Sequence, residues 1–156
     1  MNIVRLIIAV GGSLLAGLIG SFATSPSIPT WYASLNKPSF NPPNWLFGPA
    51  WTLLYVLMGT AAYLIWQKGW EKREVKLASS LFIAQLLLNS LWSILFFGLK
   101  SPFLALIEIV VLWFAILLTI ISFFRLSPAA GWLMVPYIIW VSFASILNYF
   151  ILILNK

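Results

Sequence analysis

Long apolar runs separated by short polar breaks make up nearly the whole chain. Five runs stand out, over residues 3–24, 43–67, 77–99, 102–124 and 128–154. Each is long enough to cross a hydrocarbon core as a helix, which takes about 20 residues for about 30 Å. Barrel strands would instead show about ten residues of alternating polarity, and no such alternation occurs. The pattern predicts an all-α protein: an integral membrane bundle of five transmembrane helices, forming one domain over residues 1–156, with a structured loop between helices 1 and 2.

The breaks carry local signals. Residues 25–42 form the one substantial polar segment, punctuated by Pro26, Pro29, Pro38 and Pro42. Loops of this length in compact proteins tend to be functional, so a lid at the membrane surface is expected, with a short helical turn near Thr30–Leu35. Asn41 is placed to cap the second span, and Pro49 to kink it. Ser101–Pro102 and Ser127–Pro128 each supply a cap and a first-turn proline for the fourth and fifth spans. In the first span, Gly12, Ala16 and Gly20 share one face, and Ser13, Gly17 and Ser21 the next. Small residues at that spacing let a neighbouring helix approach closely. Although Arg5 precedes an apolar stretch, the run is too long for a typical signal-peptide core.

Composition agrees with a lipid-facing exterior. Of 156 residues, 62% are hydrophobic and 8% charged, against about 25% charged in soluble domains; mean hydropathy is +1.02. The net charge of +6 does not point to nucleic acid, because the basic residues are spread thinly at segment ends. With five spans, Arg5, Lys68, Lys72, Arg73, Lys76 and Arg125 fall on one side and Lys37, Lys100 and Lys156 on the other. That asymmetry favours a cytoplasmic N-terminus and an external lid. The chain has no Cys and no His, which excludes thiolate and imidazole nucleophiles and the common zinc and haem ligand sets. No metal and no cofactor are expected.

Candidate chemistry lies in aromatic and amide stripes. Trp45, Trp66, Trp70 and Trp132 sit near segment ends and read as interfacial anchors. Trp51, Trp92, Trp113 and Trp140 lie deeper, where each indole N–H needs a partner or a cavity. Gln85, Asn89, Trp92 and Phe96 share one face of the third span, and two amides there should point inward. Spacing alone leaves interhelical bonding and ligand contact equally open. Tyr137, Trp140, Ala144 and Asn148 form a related stripe on the fifth span, where ordinary packing is the simpler reading. Trp51 and Tyr55 share a face of the second. Together these groups suit one flat, apolar, weakly polar ligand. Glu108 is the one acid inside a span and is expected to reach toward the interface.

These residues also carry a family pattern. Trp31-Tyr32, Leu35, Lys37-Pro38, Pro42-Pro43, Trp45, Gly48-Pro49, Trp51 and Tyr55 closely resemble the translocator protein (TspO/MBR) family, also called tryptophan-rich sensory proteins or peripheral-type benzodiazepine receptors. The likeness continues through Gln85, Asn89, Trp92 and Phe96-Phe97-Gly98. It ends with Pro136-Tyr137, Trp140, Ala144 and Asn148-Tyr149, so it covers nearly the whole chain. The resemblance implies a five-helix bundle, a homodimer, and a pocket closed by the lid loop. It implies binding of protoporphyrin IX or related tetrapyrroles and of synthetic isoquinoline carboxamides and benzodiazepines, with cholesterol in animal members. It places Trp51 and Trp140 at a light-dependent porphyrin breakdown. Around the ligand it places Tyr32, Pro42, Gln85, Asn89, Phe96 and Ala144; Tyr55, Trp92 and Asn148 join them from the stripes. The sterol motif of animal members is not met in strict form, because six residues separate Tyr149 from Lys156. A member from a bacterial cell membrane is expected.

Three functions follow for comparison: a tetrapyrrole receptor or sensor, a dedicated porphyrin-degrading enzyme, and a transporter of porphyrin or other lipophiles. The sequence favours binding. It holds no usual catalytic constellation and lacks the chain of intramembrane ionisable groups normal in a coupled transporter.

Overall fold

The computed structural model describes all of residues 1–156 and contains five long helices and no strand. They are α1 (Ile3–Ser27), α2 (Asn44–Trp66), α3 (Arg73–Ser93), α4 (Pro102–Leu126) and α5 (Pro128–Leu154). All five are long and apolar enough to cross a membrane. α1 packs on α2 and α3, α4 on α3 and α5, and α2 also on α5.

Several boundaries differ from those read off the sequence. α1 continues through Pro26 to Ser27: Pro26 offers no N–H to the Phe22 carbonyl, but Ile28 N still reaches the Thr24 carbonyl at 3.2 Å and the Thr30 hydroxyl covers the Pro26 carbonyl at 2.7 Å. α3 begins at Arg73, ahead of the apolar run that starts at residue 77. Asn41 does not cap α2: the N-cap is Pro43, without a side-chain bond, and Asn41 serves the lid instead. Ser101 and Ser127 do cap α4 and α5, accepting from Leu104 N at 3.2 Å and Ala130 N at 3.3 Å.

α3 ends in a π turn over Ile94–Gly98, in which Leu99 N reaches back five residues to the Ile94 carbonyl at 2.8 Å. The wider turn turns both Phe96 and Phe97 into the protein. The turn stops at Gly98 and Ser101 N goes to the Leu95 carbonyl at 3.1 Å, so the Phe97 carbonyl lacks a helical partner, as the last carbonyls of a helix do. The Ser27 hydroxyl fills it at 2.8 Å and pins the end of α1 there.

The small residues of α1 do not all serve packing. Ala16 and Gly20 are buried, whereas a side chain at Gly12 would meet open space. The tightest backbone approach comes from α2, where a Cβ on Gly59 would collide with the Val10 backbone. Glu108 is buried at 7% exposure rather than reaching the interface, and neither carboxylate oxygen has a hydrogen-bond partner.

Candidate functional site

A cavity of about 410 Å³ opens under the lid, between α1, α2 and α5 and the C-terminal end of α3. Nine of its 25 lining residues carry aromatic rings. Trp51 stacks on Tyr55 with centroids 5.6 Å apart and planes at 29°. Trp51 also meets Trp140 nearly edge-on, at 6.3 Å and 82°. On the opposite side Trp92 stacks on Phe96 at 5.1 Å and 23°.

Two of these rings, Tyr55 and Trp92, are fixed by amide side chains. The Tyr55 hydroxyl donates to the Asn89 amide oxygen, and Asn89 Nδ2 donates to the Tyr137 hydroxyl at 2.7 Å. Trp92 Nε1 donates to Asn148 Oδ1 at 3.0 Å, while Asn148 Nδ2 donates to the Pro102 carbonyl at 2.9 Å. Trp113, outside the cavity, donates to Ser142 at 2.8 Å. Trp51 and Trp140 differ from these: both residues line the cavity, and neither indole N–H makes a hydrogen bond within the protein, unlike those of Trp92 and Trp113.

The lid is a built structure. A single 3₁₀ turn spans Tyr32–Ser34, within the Thr30–Leu35 stretch expected to turn. Tyr32 is 2% exposed and its hydroxyl donates to Asn41 Oδ1 at 2.8 Å. Burial pushes the Tyr32 phenol up to about 12, with the Asn41 bond pulling the other way. Lys37 Nζ lies 4.8 Å from the Tyr32 ring centroid and donates to the Tyr32 and Leu35 carbonyls at 2.7 and 3.1 Å. Asn36 and Asn155 exchange hydrogen bonds of 2.9 and 2.8 Å, which ties the lid to the end of α5. Phe40 packs edge-on against Phe143 and Phe150.

The residues singled out from the sequence divide accordingly. Tyr32, Trp51, Tyr55, Trp92, Phe96, Trp140, Ala144 and Asn148 line the cavity; Pro42, Gln85 and Asn89 do not. Asn89 stands behind Tyr55 as a support. Gln85 is fully buried one turn deeper, its Nε2 3.9 Å from Met58 Sδ and its oxygen unpartnered. Pro42 belongs to the lid, where its carbonyl accepts from Asn41 at 3.3 Å. Sequence reasoning missed the α1 wall of Gly17, Ser21 and Thr24. Their spacing of four and three marks one face, but the same pattern serves helix packing. At Gly17 a Cβ would run into the Tyr55 ring, so this glycine makes room for an aromatic wall.

A five-helix membrane protein with a lidded, aromatic cavity between its helices is the class that fold and site define. The chain belongs to the TspO/MBR family, whose model matches residues 9–154. It is 49% identical over 156 residues to the tryptophan-rich protein TspO of Archaeoglobus fulgidus, covering 99% of each chain. It is 42% identical over 125 residues to the tryptophan-rich sensory protein of Cereibacter sphaeroides, covering 80% of this chain and 77% of the relative. The human translocator protein is 36% identical over 144 residues, covering 88% and 85%. The protein is an integral membrane protein, and microbial relatives of this similarity fit residence in a bacterial membrane.

Proposed function

We propose that the protein is a membrane receptor or sensor that takes protoporphyrin IX, or a related flat tetrapyrrole, into the cavity beneath the lid. The observation that carries this reading is the pair Trp51 and Trp140: two indole rings set edge to face in the wall of a cavity of about 410 Å³, neither N–H bonded within the protein. Aromatic walls with few placed polar groups suit a flat, apolar guest. Kinship with a tryptophan-rich sensory protein and with translocator proteins supports a receptor role. Isoquinoline carboxamides and benzodiazepines are proposed to enter the same space. The proposed working form is a homodimer in the lipid bilayer.

Light-dependent breakdown of the bound porphyrin is the proposed chemistry. An excited tetrapyrrole against Trp51 and Trp140 can take an electron from an indole or pass its energy to dissolved dioxygen beside it. Acid–base groups are not required for either step. The test is saturable porphyrin binding by protein in lipid, followed by porphyrin loss in darkness and in light, with Trp51→Phe/Trp140→Phe as the comparison. Dark turnover to a defined product would instead favour a dedicated enzyme, and saturable flux into sealed vesicles a transporter.

A further inference from the structure

A second cavity, of about 400 Å³, lies at the end of the bundle opposite the lid. It is a groove between α1 and α3, walled by Ile8 and Gly12 on one helix and Ser79 and Ile83 on the other, and Trp66 also lines it. Ile8 and Ile83 are 55% and 54% exposed, so the groove opens sideways toward lipid. We propose that it seats one acyl chain of an anionic phospholipid, whose phosphate is held at the basic end of the groove.

Three observations converge on this occupant. First, the depth is right for one leaflet. α1 and α3 both start at this end, and from Arg5 to Ser13, which lines the groove, is about 12 Å of helix at 1.5 Å per residue. A leaflet offers about half of a 30 Å core. Second, a cation stands at the mouth on each wall. Arg5 precedes Ile8 and Ala9 by three and four residues, and Lys76 precedes Ser79 by three, so each shares a face with lining residues one turn nearer the surface. The Arg5 guanidinium lies 5.1 Å from the centroid of the Trp66 ring, which leaves its N–H edge available to phosphate oxygens. Third, this end carries Arg5, Lys68, Lys72, Arg73, Lys76 and Arg125 against Glu71 and Glu74. Six cations facing two acids attract anionic headgroups, and basic pockets between transmembrane helices bind them.

This inference does not rest on the porphyrin reading. It is tested by native mass spectrometry of the purified protein titrated with dioleoyl phosphatidylglycerol or dioleoyl phosphatidylcholine. A preference for phosphatidylglycerol is expected, weakened about fivefold for each charge removed in Arg5→Gln and Lys76→Gln. Gly12→Leu is expected to lower occupancy by both lipids. A Cβ there meets nothing within 4 Å, so the helix should fold unchanged, as circular dichroism would confirm. The unmodified protein gives an independent readout in phosphatidylcholine nanodiscs: brominated phosphatidylglycerol should quench Trp fluorescence more than equally brominated phosphatidylcholine, and salt should erase the difference. Equal binding of the two lipids, with no response to the charge variants, would overturn the proposal. So would a Gly12→Leu protein that loses dimers but keeps its lipid, which would assign the groove to a second copy.

Discussion

The Tyr55 hydroxyl donates a hydrogen bond to the Asn89 amide oxygen across the α2–α3 interface. That bond fixes the ring on which Trp51 stacks. Asn89 also donates to Tyr137, so one amide orients two phenols buried inside the membrane. The wall of the cavity is thus set from a layer behind it.

Asn89→Leu should therefore loosen the wall without entering the cavity. It strands two buried hydroxyls, at a cost of about 1–3 kcal/mol, toward the lower end because membrane polar bonds are worth about 1 kcal/mol each. The expected result is a lower melting temperature in detergent together with weaker porphyrin binding. Tyr137→Phe, which removes one bond and keeps Tyr55 anchored, should affect stability more than binding.

Two glycines of α2 should separate packing from binding. Gly59→Ala forces a methyl into the Val10 backbone, and overpacking of this kind costs about 1–3 kcal/mol. Gly48 lines the cavity and a Cβ there meets nothing within 4 Å. Gly48→Leu should keep the wild-type melting temperature and weaken porphyrin binding by about tenfold or more, a loss of about 1.4 kcal/mol or greater. Equilibrium binding and thermal denaturation of the two variants, side by side, check the contrast.

The lid should respond to pH through Tyr32. Its phenol is raised from the usual 10.0 to about 12, so the folded lid favours the neutral form. The unfolded lid releases its proton first, and stability then falls as pH rises between the two values. Lid protection, followed by hydrogen exchange of Tyr32–Ser34 and corrected for intrinsic rate, should be fully present and independent of Tyr32 ionisation below about pH 10, and should fall from about 10 to 12. Tyr32→Phe should remove that component of the profile.

How much of this was legible in the sequence follows from what periodicity encodes. Apolar run length gave five helices, because the bilayer sets the length of a span. Ser101 and Ser127 were readable as caps, since cap chemistry is local. The fate of Asn41 was not, because Tyr32, nine positions earlier, competes for its side chain. The facing of Gln85 and Asn89 inward was readable, but their distance from the cavity was not. Trp92 and Phe96 lie further along the same face and reach it, partly because the π turn rotates Phe96. A π turn leaves no periodic trace in a run of apolar residues. Burial of Glu108 was missed for a related reason: the position of an acid along a span does not say whether it faces lipid or neighbours.

The most direct test of the account is the illuminated loss of protoporphyrin IX from protein in lipid, compared between wild type and Trp51→Phe/Trp140→Phe. Binding should persist in the double variant within about threefold, since one flat apolar ring replaces another. Light-driven loss should be protein-dependent in the wild type, absent in darkness, and slowed about tenfold or more in the variant, equivalent to about 1.4 kcal/mol on the barrier. Equal rates of loss in the two proteins would contradict a role for the indoles. Absence of saturable porphyrin binding by the wild type would contradict the receptor assignment itself.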